Sequence, residues 1–369
     1  MQRRLLVAVA FALAAVLFAG PASACTCLNS WDTDPATGNF AHPPIKIGVN
    51  VQAPAFNDLA RNANIGWIRT SVRWSQVEKT KGVFDFSGVD ADIDDARARG
   101  LKVLAILAHP PVWAGSNTNG TTPPSNLTDW KNYVRAVAQH FNGRIDAYEI
   151  WNEPDLMNSG DGVGWNAQHN EISSRPKYVD LVIHSAIEIR QWAPGTKVVA
   201  PAMSTRAYKD RPTRTKQVWQ QLQNTFYNSQ RASSYVDVVS FHNTALGDDL
   251  AQDTDWWLVD NIRDMQTNAP SLDCKEQWIT EFGYLALYGE ADQLTNIKAS
   301  LIEYRGGYGI CDSYFIPGGA HLTDRITQAF IYVLSDYTSG ATFGIYRSNG
   351  TPRPVVTDFL QTLPFPAEY

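Results

Sequence analysis

The sequence has few cysteines, few charged residues and no Lys/Arg-rich run. Four cysteines in 369 residues are too few for a disulfide-dependent scaffold. Charged residues make up 18% of the chain, against about 25% in typical proteins, and the formal net charge is −6. This balance argues against a nucleic-acid partner. The hydrophobic content of 44% is enough to bury a core, which excludes a disordered chain.

Several catalytic motifs are also absent. No H-E-x-x-H pair occurs among the seven histidines, and no cysteine has metal-ligand spacing, so we expect no metal and no cofactor. No G-x-S-x-G elbow is present, which argues against a Ser-triad esterase. No G-x-G-x-x-G follows the first predicted strand, although a doubly wound open sheet stays open as the alternative fold.

The N-terminus has the pattern of a secretory signal peptide. Two arginines precede the apolar run 5–18, and the small residues A-S-A follow at 22–24. The apolar run is shorter than the ~20 residues that a membrane-spanning helix needs. We therefore predict a cleaved signal peptide over 1–24, no membrane span, and a secreted or periplasmic protein. Cys25 leaves a bacterial lipid anchor open as the minority alternative.

The rest of the chain alternates between predicted strands and helices. The predicted strands are 46–52, 67–74, 101–108, 145–153, 197–204, 236–244, 276–284 and 328–336. The predicted helices between them are 87–99, 128–141, 175–192, 212–227, 256–265 and 291–304. Parallel strands need such crossovers, so the alternation predicts an α/β protein, a (β/α)₈ TIM barrel. We assign it to one domain over 46–369, after an N-terminal extension over 25–45.

Two glutamates lie at the ends of predicted strands, where barrel enzymes carry their chemistry. Strand alternation places Glu149, Trp151 and Glu153 on one inward face, and Glu281 ends the seventh strand. For Glu149 we favour a structural ion pair with a barrel arginine. Glu153 and Glu281 together match what glycosidic cleavage requires, one protonated carboxyl and one ionised carboxylate. The 12 tryptophans also suit a sugar site, because indole rings stack on pyranose faces.

The motifs on these two strands resemble those of glycoside hydrolase clan A. Trp151-Asn152-Glu153-Pro154 is similar to the clan's fourth-strand motif, and Thr280-Glu281-Phe282-Gly283 is similar to its seventh-strand motif. The finer pattern resembles family 39 and related exopolysaccharide-degrading glycosidases. The segments that carry the finer pattern are 68–69, 74, 77–78, 82–86, 334–336, 343–345 and 350–354.

The resemblance implies a role for each matching residue. Glu153 is the expected acid/base and Glu281 the expected nucleophile of a retaining double displacement. Asn152 matches the residue that binds the sugar 2-hydroxyl. Arg69 matches the arginine beneath the nucleophile, and His242 matches the histidine of the sixth strand.

Two departures from the clan pattern affect the expected substrate. The tyrosine two residues after the strand-six histidine is replaced by Thr244, and we expect Tyr284 to substitute for it. The strand-eight tryptophan is missing, with Tyr332 and Leu334 nearby.

Three further residues are weaker candidates for substrate binding. His109 and Trp113 follow the third strand, and Trp165 lies in the long loop after the fourth. For each tryptophan, packing beneath its own loop is an equal alternative to a sugar platform.

We therefore predict a secreted, retaining β-glycosidase that acts on a polysaccharide or oligosaccharide and is a monomer. A non-catalytic carbohydrate-binding pseudo-glycosidase is the alternative.

Cys274 precedes the seventh strand and Cys311 follows the next helix, so both are expected near the bottom of the barrel, where a disulfide could join them.

Overall fold

The fold comes from a computed structural model, which describes residues 44–51, 56–116, 118, 120–155, 178–204, 212–244, 251–286, 289–304, 325–336 and 342–369. The predicted signal peptide, Cys25, Trp165 and Cys311 lie outside these residues. The signal peptide, the lipid-anchor alternative and the Cys274–Cys311 disulfide therefore stay predictions. No helix in the described ranges is both long enough and apolar enough to cross a membrane.

Within the described residues, eight parallel strands close into a barrel, as predicted. Each strand pairs with its successor along the chain, and the last pairs with the first. This closure rules out the open doubly wound sheet. The strands are β1 Lys46–Asn50, β2 Trp67–Arg73, β3 Lys102–Ala108, β4 Ala147–Ile150, β5 Lys197–Val199, β6 Val238–Thr244, β7 Glu276–Gly283 and β8 Ile326–Ile331.

Helices connect the strands on the outside of the barrel. They are α1 Asn57–Asn62, α2 Trp74–Val77, α3 Ser87–Ala98, α4 Leu127–His140, α5 Tyr178–Trp192, α6 Pro212–Asn224, α7 Ala251–Asn268, α8 Glu290–Tyr304 and α9 Pro354–Thr357. Helix α4 begins one residue before the predicted start, because the Asn126 side chain caps it by accepting a hydrogen bond from the Thr128 amide at 2.7 Å.

Strand β4 is shorter than predicted, and this corrects one inward-facing assignment. Trp151 has a φ of +73° and Glu153 a φ of +44°, so the extended conformation ends at Ile150. The Trp151 ring lies 6.1 Å from the ring of Trp130 on α4, among the residues packed between strands and helices. The prediction that Trp151 shares the inward face of Glu149 is therefore wrong.

A layer of apolar side chains fills part of the barrel interior. Trp67 and Trp278 meet edge to face, with ring centroids 5.6 Å apart, and Phe330 packs against both. We call this set the lower layer: Trp67, Leu104, Ala147, Val199, Val238, Trp278 and Phe330. Strand β1 contributes Gly48, where a Cβ would lie 2.3 Å from the Phe330 ring. Only a glycine leaves room for Phe330 at this position.

Candidate active site

Arg69 is the centre of a polar network above the lower layer. Its Nε donates a hydrogen bond to Glu149 at 2.6 Å, and its Nη1 donates to Glu281 at 2.6 Å and to Asn50 at 2.7 Å. Its Nη2 donates to Asn152 at 2.7 Å. The guanidinium is 2% exposed, so burial alone would be costly. Two carboxylates compensate it, and the charged contacts raise its pKa although burial opposes them.

Glu149 is held by neutral donors on the side away from Arg69. Its Oε1 accepts hydrogen bonds from the Ser240 and Thr280 hydroxyls, each at 3.0 Å, and from the Ala202 amide at 3.3 Å. The side chain is fully buried. The predicted ion pair with a barrel arginine is thus confirmed, and Glu149 orients Arg69.

A bulge in β7 brings Glu281 into this network. Along the β6–β7 pair, Phe241 is opposite Ile279 but His242 is opposite Glu281, so β7 has one extra residue at Thr280. Thr280 already faces inward, toward Glu149. Regular alternation would turn the next residue outward. The bulge instead turns Glu281 inward, onto Arg69.

The backbone around Glu153 takes a conformation that strand patterns do not predict. Trp151 and Glu153 both have left-handed φ values, and so does His109 at the end of β3, with a φ of +59°. Such residues cost about 1–3 kcal/mol each and concentrate at functional sites. The Glu153 amide is fixed by a 3.1 Å hydrogen bond to the Ala202 carbonyl.

His242 joins the two glutamates. Its Nδ1 lies 2.8 Å from Oε1 of Glu153 and 3.5 Å from Oε2 of Glu281. One oxygen of each glutamate and the His242 nitrogen all lie within 4.8 Å of one another. The glutamate side chains are 18% and 14% exposed, respectively, whereas His242 is buried. A ligand at the carboxyl end of the barrel therefore has access to both carboxyl groups.

Charge and burial set the protonation of these three groups. Burial raises the pKa of Glu281, and the charges of His242 and Arg69 offset this only in part. Burial also acts to raise the pKa of Glu153, but the hydrogen bond and charge of His242 outweigh it and lower the pKa. Burial would lower the pKa of His242, but the carboxylates of Glu281 and Glu153 raise it overall. Both pKa changes favour a proton on Nδ1 of His242 over one on Glu153.

The donor atoms of this group also have the spacing of metal ligands. A metal, however, needs the lone pair of a histidine nitrogen, and Nδ1 is the atom that faces Glu153 at hydrogen-bond distance. Arg69 already places a positive charge on Glu281. The donor set therefore fits proton transfer better than metal binding.

Two predicted substrate-binding residues lie apart from the network. Tyr284 is 4% exposed, and its hydroxyl hydrogen-bonds the Ser300 hydroxyl on α8. This contact with α8 gives no support to its expected role in place of the missing strand-six tyrosine, which stays a prediction. The indole N–H of Trp113 donates to the Glu78 carbonyl at 2.9 Å, and Lys81 lies over its ring at 5.6 Å. These contacts favour packing beneath its own loop over a sugar platform.

One residue of the site, Asn50, escaped the sequence analysis, and a second, Tyr332, was noted there only as a neighbour of the missing strand-eight tryptophan. Asn50 ends β1, binds Arg69 through its Oδ1, and donates from Nδ2 to the Thr280 and Ile331 carbonyls at 3.1 Å each. Its position at a strand end was the available signal. Tyr332 follows β8, and burial together with the charges of Glu281 and Glu153 raises its pKa to about 12. Tyr332 therefore lies near both carboxylates.

Residues 47–197 match the model of glycosyl hydrolase family 10. An endo-1,4-beta-xylanase B of Neocallimastix patriciarum is 25% identical over 164 residues, which is 42% of this chain and 18% of that relative. The resemblance to glycoside hydrolase clan A is confirmed. The matched segment contains Arg69, Asn152 and Glu153 and ends before Glu281.

Solved structures share the barrel at low sequence identity. A family 39 glycoside hydrolase from Bacteroides cellulosilyticus WH2 has a TM-score of 0.58 and 16% identity, over 85% of this chain and 62% of that chain. A psychrophilic family 10 endo-beta-1,4-xylanase has a TM-score of 0.59 and 15% identity, over 86% of this chain and 96% of that chain. At these identities the likeness shows the fold alone.

Proposed function

We propose that this chain is a secreted, retaining β-glycosidase that hydrolyses a polysaccharide or oligosaccharide. The observation that carries the proposal is the approach of Glu153 and Glu281, one oxygen from each lying within 4.8 Å. Retaining glycosidases hold their carboxyl groups about 5–5.5 Å apart, whereas inverting enzymes separate them by about 6.5–9.5 Å to admit water. An approach of two carboxylate oxygens to within 4.8 Å leaves little room for a water between them, which favours retention.

In the first step, Glu281 is the nucleophile. Its ion pair with Arg69 at 2.6 Å and the charge of His242 favour the ionised form that attack requires, against the burial that raises its pKa. An oxygen of Glu281 bonds to the anomeric carbon as the glycosidic bond breaks. Glu153 gives a proton to the departing oxygen.

His242 supplies the proton for this step. The His242–Glu153 pair holds one proton across 2.8 Å, and the acid forms when that proton moves from Nδ1 to Glu153. In the second step, Glu153 removes a proton from water, the water oxygen bonds to the anomeric carbon, and the bond to Glu281 breaks. The pair then again holds one proton.

Asn152 is the residue placed to bind the sugar. Arg69 donates to its Oδ1, so its amide nitrogen is the group that remains for a sugar hydroxyl. A hydrogen bond to the 2-hydroxyl strengthens in the transition state. The sugar and linkage are to be found with a panel of β-linked polysaccharides and aryl glycosides.

The test is to trap the intermediate. A 2-deoxy-2-fluoro aryl glycoside of the sugar found in the panel should inactivate the enzyme, and mass spectrometry of the digest should find the label on Glu281. A label on another residue would refute the assignment of the nucleophile. If the protein binds polysaccharide but neither turns over nor becomes labelled, the pseudo-glycosidase alternative is correct.

A further inference from the structure

A third buried carboxyl group lies beside the acid/base and has no part in the reaction described above. Asp155 follows Glu153 by two residues and is 2% exposed. Its Oδ1 accepts a hydrogen bond from the Ser204 amide at 3.0 Å, and its Oδ2 accepts one from the Thr215 hydroxyl at 2.7 Å. Asp155 therefore ties the loop after β4 to the segment after β5 and to the first turns of α6.

Ser204 connects Asp155 to Glu153. Its amide binds Asp155, while its side chain hydrogen-bonds Glu153. Ser204 is itself 2% exposed, so both contacts lie in a medium that screens charge poorly. A negative charge on Asp155 is thus felt at Glu153 through a short, buried path.

The charge of Asp155 changes near neutral pH. Burial raises its pKa to about 7, against the lowering effect of the Ser204 and Thr215 hydrogen bonds, and the charge of Glu153 adds to the increase. Because two carboxylates interact equally in both directions, ionised Asp155 also disfavours loss of the proton held near Glu153.

The Ser204 hydroxyl favours the ionised form of Glu153. We propose that Asp155 is a positioning residue that fixes Ser204 beside Glu153, and that its negative charge outweighs this hydroxyl and keeps the proton on the Glu153–His242 pair at neutral and alkaline pH. This inference rests on the proposed function, because it assigns Glu153 the role of acid. It adds a third carboxyl group that sets the pH range of that acid.

In the part of the chain that the structure describes, Asp155 accepts its hydrogen bonds from an amide and a hydroxyl, and neither donor is a cation. Within the described residues, the titratable groups that face Glu153 are Asp155, Arg69, His242, Glu281 and Tyr332. Arg69 and His242 favour the ionised form of Glu153, whereas the negative charges of Asp155 and Glu281 favour its protonated form.

The test is the pH profile of Asp155→Asn. The amide keeps the shape of the side chain and an acceptor for the Ser204 amide but removes the charge. For a substrate with a poor leaving group, we expect the alkaline limb of kcat/KM to move to lower pH by about half a unit or more. For an activated aryl glycoside, whose first step needs little protonation, kcat/KM should keep its wild-type profile. If the role of Asp155 were purely structural, Asp155→Asn would lower kcat/KM for both substrates and would leave the alkaline limb of both pH profiles in place.

Two further variants act as controls. Thr215→Val removes only the hydroxyl that stabilises ionised Asp155, so the alkaline limb should move in the same direction by a smaller amount. Asp358→Asn removes one charge at an exposed position and should leave the profile unchanged. If Asp155→Asn does not fold, an unchanged limb in Thr215→Val overturns the proposal.

A readout without turnover separates this inference from the proposed function. In protein labelled with ¹³C at glutamate carboxyls, the resonance that Glu153→Gln removes identifies Glu153. Its titration midpoint should fall in Asp155→Asn. If Asp155→Asn changes neither the titration midpoint of Glu153 nor the alkaline limb of kcat/KM, the inference is refuted. A lowered midpoint in a protein that cleaves no glycoside supports the coupling and refutes the proposed function.

Discussion

The lower layer of the barrel and the polar network above it differ in chemistry although they lie two residues apart on the same strands. On β2, Trp67 belongs to the lower layer and Arg69 to the network; on β7, Trp278 is followed by Thr280. The lower layer is held by aromatic packing. The network is held by a buried arginine with four hydrogen-bond acceptors.

This difference separates stability from function along one strand. Burial of large aromatic rings contributes favourably without a partner, whereas the Arg69–Glu149 pair must first overcome the cost of desolvating both charges. The bulge and the left-handed residues also lie at the polar end of the strands. We therefore expect substitutions in the lower layer to lower the free energy of unfolding, and substitutions in the polar network to lower activity.

The largest effect is expected for Glu281→Ala. Loss of the nucleophile should reduce kcat for every substrate by at least about 10⁴-fold, or about 5.5 kcal/mol of transition-state stabilisation. Because the lower layer is untouched and Glu149 still compensates the charge of Arg69, the melting temperature should fall less than in Trp278→Ala. The measurements are initial rates and calorimetry. Wild-type rates in this variant would place the active site elsewhere.

Trp278→Ala should show the opposite pattern. Trp278 is 1% exposed, and removal of a buried tryptophan ring typically costs about 3–5 kcal/mol of unfolding free energy. Urea unfolding measures this loss, while kcat measured well below the unfolding transition should stay close to the wild-type value. A loss of kcat as large as that of Glu281→Ala, with unchanged stability, would contradict the separation of the two layers.

Gly48→Ala should have a smaller effect of the same kind. The new methyl group would overlap the Phe330 ring, and overpacking of this type costs about 1–3 kcal/mol. Phe330→Leu in the same chain should recover part of that loss, because the smaller side chain makes room. If Gly48→Ala is as stable as the wild type, the lower layer is not tightly packed at β1.

The sequence predicted the barrel and the two glutamates because both depend on local patterns. Alternating strands and helices indicated the closed parallel sheet, and inward alternation along β4 correctly identified Glu149. The same rule assigned Trp151 incorrectly, since a left-handed φ at that residue ends the strand. It also gave no reason for Thr280 and Glu281 to face the same side, because a bulge depends on how two strands pair.

Contacts between distant segments were the least predictable part of the site. Tyr284 follows Glu281 by three residues, yet its hydroxyl is bound by Ser300 on α8. Trp113 lies at a strand end, yet the Glu78 carbonyl and Lys81 occupy its indole N–H and its ring. In both cases the contacting residue comes from another part of the chain, so the local sequence around Tyr284 or Trp113 does not indicate whether its side chain is available to a substrate.

The configuration of the first product tests the proposed pairing of Glu153 and Glu281 most directly. Proton NMR of the reaction, recorded before mutarotation and with the substrate found in the panel, identifies the anomer released. The approach of one Glu153 oxygen to one Glu281 oxygen predicts that the β-anomer appears first, with retention. Initial release of the α-anomer would show a single displacement by water and would contradict the assignment of Glu281 as the nucleophile.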